Sequence, residues 1–169
     1  MGPTVTVIIL WAVAIAVAAV AVWQLIHYTS PLVRSWAPSS FKRHSAGPLS
    51  VLDSGRLEID TGEIVIILHG LGATSDYFGD FYDGLSRRRR VILIDLLGFG
   101  GSLDEERTDF SLEAHVKALD DAFEALGLGS SRIIFAAHSM GAALALTWAG
   151  RHPGRVVRVV LWGGAGVRQ

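Results

Sequence analysis

One serine of the chain stands in a setting that suits covalent catalysis. Ser139 is the central residue of the sequence AHSMG at positions 137–141. A short run of β-branched and aromatic residues, 132–136, precedes it, and an alanine-rich stretch, 142–151, follows it. A sharp strand-to-helix turn in such a place, a nucleophile elbow, projects the serine hydroxyl over the edge of a sheet. Ser139 is therefore the candidate nucleophile of the chain.

A serine nucleophile needs a general base, and the sequence offers no convincing one. Residues 140–169 contain no Asp or Glu, and their one histidine, His152, precedes a proline at a predicted helix end. His69 serving Ser139 from a neighbouring strand end is an alternative, and His138 is expected to pack or hydrogen-bond locally. The other three histidines are assigned to a membrane interface, a linker and a helix surface: His27, His44 and His115.

The first forty residues contain one long apolar segment. Residues 5–26 carry only two polar side chains, and no charged side chain precedes Arg34. A helix of this length reaches about 33 Å, which is enough to cross a hydrocarbon core of about 30 Å. We expect residues 1–28 to form a single-pass transmembrane anchor that contacts the lipid bilayer through residues 5–26. A cleaved signal peptide is the alternative, although its usual positive n-region is missing.

Charge and composition limit the other classes of function. Arginine and lysine follow the apolar segment and none precedes it, so the positive-inside rule favours a cytoplasmic globular domain. The 15 Lys and Arg nearly balance the 16 Asp and Glu, which gives no basic surplus for nucleic acid. The absence of cysteine excludes disulfides, a thiolate nucleophile and a cysteine zinc site.

The rest of the chain has the pattern of an α/β domain. Residues 29–48 are rich in Ser and Pro and are predicted to form a linker, and the globular part is predicted over residues 49–169. It opens with a hairpin whose turn is at Ser54-Gly55. Four continuous apolar runs follow and predict buried parallel strands: 64–68, 91–94, 133–136 and 156–162. Helices are predicted between them, on both faces of the sheet, over residues 75–85, 111–126 and 141–151.

Three segments follow predicted strands and should meet at one edge of the sheet. They are HGLG at 69–72, DLLGFGGS at 95–102, and HSMG at 138–141. In this combination and order the chain resembles the α/β-hydrolase family, in the branch of serine hydrolases with an HG-type oxyanion loop. The resemblance runs from about residue 49 to 167. Its one departure is Ala137, where the first glycine of the G-x-S-x-G motif is usual, and a single extra methyl group is a tolerable variant.

The resemblance assigns roles to individual residues. Ser139 corresponds to the nucleophile, and the backbone N–H groups of Leu71 and Met140 correspond to the oxyanion-hole donors. His69 corresponds to the histidine that shapes the oxyanion loop. Asp95 corresponds to the residue that braces the following glycine-rich turn, with a role as triad acid as the alternative. The implied reaction is ester hydrolysis through a Ser139 acyl-enzyme on a small-molecule acyl substrate, and it requires no metal or organic cofactor.

The family fold implies further strands whose loops supply the acid and the catalytic histidine. The run 156–162 is apolar on both faces, as in the interior of a sheet. Three explanations stay open: the chain is the N-terminal part of a longer serine hydrolase, another chain completes the sheet, or the domain is a catalytically inactive, membrane-tethered binding module. By any of them the chain alone is expected to be nearly inactive, because loss of a triad costs a factor on the order of 10⁶ in kcat.

Overall fold

The computed structural model of the protein describes residues 11–22, 37–55 and 62–164. The chain divides into two compact units, residues 1–35 and 36–169. In the first unit, residues 11–22 are helical. None of the helices among the described residues combines the length and apolarity needed to cross a membrane. The transmembrane helix predicted over residues 5–26 is therefore not supported there, and its residues 5–10 and 23–26 lie outside the described part.

The second unit is built on a six-stranded sheet. The strands are β1 (Lys42–Ala46), β2 (Leu49–Asp53), β3 (Glu63–Leu68), β4 (Arg90–Ile94), β5 (Arg132–His138) and β6 (Val156–Trp162). Their spatial order is β1-β2-β4-β3-β5-β6. Strands β4, β3, β5 and β6 are neighbours that pair in parallel. Strand β2 pairs antiparallel with β4, and β1 pairs antiparallel with β2 at the edge of the sheet. The mostly parallel α/β sheet predicted from the sequence is confirmed.

Two α-helices cover one face of this sheet. Helix α1 (Leu112–Ala125) begins at the predicted cap, where the Ser111 hydroxyl accepts a hydrogen bond from the Ala114 N–H at 3.2 Å. Helix α2 (Met140–Arg151) follows β5 directly. Both helices bury their apolar sides in the same cluster of core residues, in which the Trp148 ring packs against two phenylalanine rings. This packing holds the start of α2 against the carboxyl edge of the sheet.

The opposite face lacks the helix that was predicted over residues 75–85. That segment forms two short 3-10 turns, Ser75–Phe78 and Asp83–Arg87. Gly79 ends the first turn in a left-handed conformation, with φ of 48°, and its N–H donates to the Asp76 carbonyl at 3.0 Å. An α-helix cannot pass through such a residue. The expectation of α-helices on both faces was therefore wrong for the described residues, because both lie on one face.

The start of the domain also differs from the prediction. Residues 42–46, assigned to a linker, form the edge strand β1, and a turn at Gly47 leads into β2. Only Ala46 of β1 is buried, so the strand carries no apolar alternation that could reveal it. The predicted hairpin partner of β2, residues 57–60, lies outside the described residues, and β2 pairs with β1 and β4.

Candidate active site

Ser139 occupies a strained turn between β5 and α2. Its backbone has φ of 50° and ψ of −115°, and among the described residues it is the one non-glycine with positive φ. Such a conformation costs on the order of 1–3 kcal/mol and persists only where surrounding contacts enforce it. Here the Ser139 N–H donates to the Trp162 carbonyl at 3.2 Å, and the Ser139 carbonyl accepts from the Ala142 N–H at 3.0 Å. Ser139 stands at the N-cap position of α2, but its side chain makes no capping hydrogen bond, so the hydroxyl is not used to cap the helix.

The residues two positions after and two positions before Ser139, Gly141 and Ala137, allow the chain to pass close to β3. A Cβ atom at Gly141 would lie 2.6 Å from the His69 carbonyl oxygen and 2.8 Å from the Leu68 Cβ, distances that no side chain can occupy. Glycine is therefore required there by contact, not by its dihedral angles. Ala137, the departure from the motif, is fully buried in the main core, which accommodates its methyl group.

The loop after β3 lies against the elbow. A Cβ atom at Gly70 would lie 2.8 Å from His138 Nδ1 and 3.0 Å from the Ser139 Cβ, so this loop and the candidate nucleophile are in direct contact. Leu71 follows with its side chain 76% exposed. Met140 is the first residue of α2, where backbone N–H groups have no partner within the helix. The structure thus brings all three residues predicted to act, Ser139, Leu71 and Met140, to one edge of the sheet.

His69 is fully buried, and both of its ring nitrogens are in use. The Leu96 N–H donates to Nε2 at 2.9 Å, so Nδ1 carries the proton and donates to the Gly70 carbonyl at 2.8 Å. Burial lowers the pKa of His69, and the Gly70 hydrogen bond and the negative charge of Asp95 do not offset it. A neutral imidazole with no free nitrogen cannot accept the Ser139 proton, so the alternative that made His69 the base was wrong.

Asp95 braces the loops around the site. Its carboxylate, fully buried, accepts the N–H groups of Ser75 at 2.6 Å and Gly101 at 2.9 Å. Burial raises its pKa, but these hydrogen bonds and the Arg43 charge outweigh burial and hold the pKa below its usual value. With both oxygens occupied, Asp95 has the bracing role that the sequence analysis favoured over triad acid.

Sequence reasoning missed the cation that neutralises Asp95. The guanidinium of Arg43, on β1, donates to Asp95 at 2.6 Å, to Asp76 at 2.7 Å, and to the hydroxyls of Ser50 and Ser75. Arg43 was counted only among the positive charges that follow the apolar segment. The single available signal was a basic residue close in sequence to the domain start, and the separation of 52 positions between Arg43 and Asp95 conceals the pair.

The other histidines lie away from the Ser139 hydroxyl or are engaged in packing. His138 stacks on the Trp162 ring at 5.9 Å, as the local packing role predicted. His152 caps the far end of α2, about 18 Å from Ser139 along the helix, and contacts Asp120 at 3.0 Å. His115 was expected on a helix surface, but it is buried at 7% exposure. In the described ranges, no cluster of three or more possible ligands is placed to hold a metal ion.

Comparison with known proteins identifies the fold family. The family model for the alpha/beta hydrolase fold matches residues 63–167. The chain belongs to this family. It is 36% identical over 104 residues to a 1-acylglycerol-3-phosphate O-acyltransferase of Arabidopsis thaliana, an alignment that covers 60% of this chain and 25% of the plant protein.

Two solved structures of the same kind support this placement. A candidate lipase of Acinetobacter baumannii AYE superimposes with a TM-score of 0.67 and 27% identity, over 80% of this chain and 45% of that protein. A membrane phospholipase A described as a bacterial virulence factor gives 0.65 and 26%, over 98% of this chain and 52% of that protein. The chain thus spans between a quarter and about half of the length of these proteins.

The contact between α2 and β3 predicts opposite effects for two glycines of the same helix. Gly141→Ala should lower the free energy of unfolding by about 2 kcal/mol, because its methyl group would overlap backbone. Gly150→Ala, where an added Cβ meets nothing within 4 Å, should raise it by about 0.5–1 kcal/mol. Urea unfolding followed by circular dichroism measures both. Equal stability of the two variants would contradict the close approach at residue 141.

The Asp95 carboxylate predicts a specific acid dependence of stability. Because its folded-state pKa is lowered, Asp95 contributes stability at pH values above its unfolded pKa and loses that contribution as the pH falls through the folded value, below about pH 4. Asp95→Asn should therefore cost about 3 kcal/mol at pH 7 and flatten the loss of stability in acid. Asp80→Asn, at an exposed carboxylate, is the control and should leave both unchanged. Stability is measured by urea unfolding between pH 3 and pH 7.

Proposed function

We propose that this chain carries the nucleophile and the oxyanion donors of an acyl-transfer site, and that the complete protein hydrolyses a carboxylic ester. The observation that carries the proposal is the strained conformation of Ser139 at the junction of β5 and α2. A non-glycine residue held in this conformation, with its hydroxyl unused as a cap, has the geometry that a nucleophile elbow requires. The loop with Leu71 lies in contact with it.

In the proposed reaction, the Ser139 Oγ attacks the carbonyl carbon of a small-molecule ester. The negative charge that develops on the carbonyl oxygen is stabilised by the backbone N–H groups of Leu71 and Met140, each worth about 2.7–4 kcal/mol in comparable sites. The C–O bond then breaks, the alcohol leaves with a proton, and an acyl-enzyme remains. Water attacks the acyl carbon and releases the carboxylic acid, which restores the serine hydroxyl.

We assign the base that accepts the Ser139 proton to a group outside the described residues. His69 has no free nitrogen, and His152 lies at the opposite end of α2. A further part of the polypeptide, or a second chain that completes the sheet beside β6, would supply the base and its acid partner. The exposed side chains of β6, among them Val160 at 49% exposure, support such a cover. The 169-residue chain by itself is then expected to turn over very slowly.

The names of the similar proteins support the acyl-transfer class. They are described as an acyltransferase, a candidate lipase and a phospholipase A. We propose a small-molecule acyl ester as the substrate and no nucleic-acid partner. A catalytically inactive, membrane-tethered binding module is the second candidate, and it is favoured because neither His69 nor His152 is placed to act as a base for Ser139.

Labelling of the full chain with a fluorophosphonate probe tests the nucleophile. We expect weak, time-dependent labelling of the wild-type chain and at least a tenfold lower signal for Ser139→Ala, because the probe needs an accessible serine beside oxyanion donors. Ser111→Ala is the matched control, since Ser111 also precedes a helix but has an ordinary φ of −61°. Equal signals from wild type and Ser139→Ala would remove Ser139 as the nucleophile and leave the binding module.

We further propose that the chain is held at a membrane through residues 5–26, with the globular unit on the cytoplasmic side. Support comes from the sequence of this segment, whose 22 positions include no charged side chain. Its helical residues 11–22 expose large apolar side chains, among them Trp11 and Ile15.

Alkaline carbonate extraction of cell membranes tests the anchor. The wild-type chain should stay in the membrane pellet, and external protease should not reach the globular unit in intact cells. The double variant Val13→Asp, Val17→Asp should move to the supernatant, because a charge at the centre of a span costs about 2.5–3.5 kcal/mol. Val13→Leu with Val17→Leu should behave as wild type. Release of the wild-type chain by carbonate would rule out a spanning anchor.

A further inference from the structure

A small cavity beside the elbow is lined entirely by aromatic side chains. It has a volume of about 350 Å³ and is bordered by five rings, which together we call the aromatic pocket: Tyr77, Phe78, Phe81, Tyr82 and Trp162. Trp162 joins the pocket to the candidate active site, because its other neighbour is the His138 ring that precedes Ser139. Nothing in the proposed acyl-transfer reaction uses these five rings.

The rings of the aromatic pocket stand nearly perpendicular to one another. Phe78, only 6% exposed, meets Tyr77 at 5.5 Å and 77°, Tyr82 at 5.5 Å and 71°, and Trp162 at 6.4 Å and 76°. Phe81 meets Tyr82 at 4.9 Å and 86°. Phe78 thus lies at the buried side of the pocket, and Tyr77 and Phe81, which are largely exposed, lie at its open side. Each ring face carries the negative part of the aromatic quadrupole.

The segment that carries four of the rings is fixed at both of its ends. At the first end, the Ser75 N–H binds the buried Asp95 carboxylate. At the other end, Asp83 accepts hydrogen bonds from the Ser39 hydroxyl and from the Ser40 N–H and hydroxyl, each at 2.7 Å. The pocket is therefore formed before any ligand arrives, which reduces the ordering cost of binding.

Two carboxylates, Asp80 and Asp83, lie on the segment that carries four of the five rings. Asp80 lies between Phe78 and Phe81 in the chain, is exposed, and forms no ion pair with the described residues. Burial raises the pKa of Asp83, but hydrogen bonds from Ser39 and Ser40 outweigh it and keep the carboxylate ionised. The arginines at 87–89 line a separate cavity of about 920 Å³, which shares only Tyr82 and Trp162 with the aromatic pocket.

We propose that the aromatic pocket binds a quaternary ammonium group, such as the trimethylammonium end of choline. A quaternary ammonium ion cannot donate N–H hydrogen bonds, so it loses little in a site walled by rings, and it is attracted to their negative faces. The carboxylates of Asp80 and Asp83, on the same segment, carry the charge opposite to that of such a ligand. An uncharged acyl chain is the competing occupant, since it would gain from burial against the rings but not from their quadrupole or from the carboxylates. This inference goes beyond the proposed reaction and does not depend on it.

Calorimetric titration of the full chain with choline chloride tests the proposal. The Ser139→Ala variant is used, so that no reaction at the elbow contributes heat. The comparison ligand is 3,3-dimethylbutan-1-ol, which has the shape of choline but carries a neutral carbon in place of nitrogen. We expect choline to bind about tenfold more tightly than the alcohol, with a dissociation constant on the order of 1 mM. Equal affinity for the two ligands, or no heat of choline binding, would overturn the proposal.

Substitutions separate the ring faces from simple bulk. In the Ser139→Ala background, Tyr77→Leu and Phe81→Leu should each weaken choline binding about threefold and leave the affinity for the alcohol unchanged. Phe110→Leu is the matched control, because Phe110 is also exposed, at 46%, but lies outside the pocket. Circular dichroism verifies that each variant is folded. If Tyr77→Leu with Phe81→Leu binds choline as tightly as the parent, the rings do not form the site.

Discussion

Helix α2 begins so close to strand β3 that position 141 has no room for a side chain, and the site depends on this contact. The parallel strands β3 and β5 end at the same edge of the sheet, and the chain must leave β5 and start the helix at once. Gly141 lets the first helical turn rest on the His69 carbonyl, and Gly70 lets the neighbouring loop rest on Ser139. The backbone turns from strand to helix within one residue, and the positive φ of Ser139 produces this turn. The free energy of that strain is offset by the buried side of α2, in which Trp148 is fully enclosed.

A buried carboxylate organises the loops that surround this contact. Asp95 draws together strand β1 through Arg43, the turn at Ser75, and the glycine-rich loop at Gly101, which come from three separate parts of the chain. His69 performs the corresponding task between the loops after β3 and β4, through Leu96. A charged group taken from water must be fully hydrogen-bonded to be tolerated, and here every donor comes from an element near the site. The loops are therefore held in place by hydrogen bonds and ion pairs to buried side chains, whereas the sheet beneath them packs against the helices through apolar side chains.

Sequence patterns predicted the elements whose stabilising residues lie close together in the chain. The strands β3–β6 are largely apolar runs, although β6 is only partly buried, and α1 has apolar residues at helical spacing after the Ser111 cap. The elbow was recognisable because its residues are adjacent in sequence. In contrast, β1 is polar and is defined by its pairing with β2, and the segment 75–87 is shaped by Gly79 and by ring contacts. The Arg43–Asp95 pair joins residues far apart in the chain, which no window of sequence can reveal.

The described residues can orient Ser139 without a general base beside it, because contacts within the loops and the turn fix its conformation. The conformation of Ser139 is enforced by backbone hydrogen bonds to Trp162 and Ala142 and by the close contacts at Gly70 and Gly141. The neutral His69 fixes the loop after β3 through both ring nitrogens, so its protonation is not needed for that purpose. The orientation of Ser139 therefore does not depend on the group that would activate it in the proposed reaction. Because the geometry of this turn is already fixed, a base placed beside Ser139 would need only to remove the hydroxyl proton.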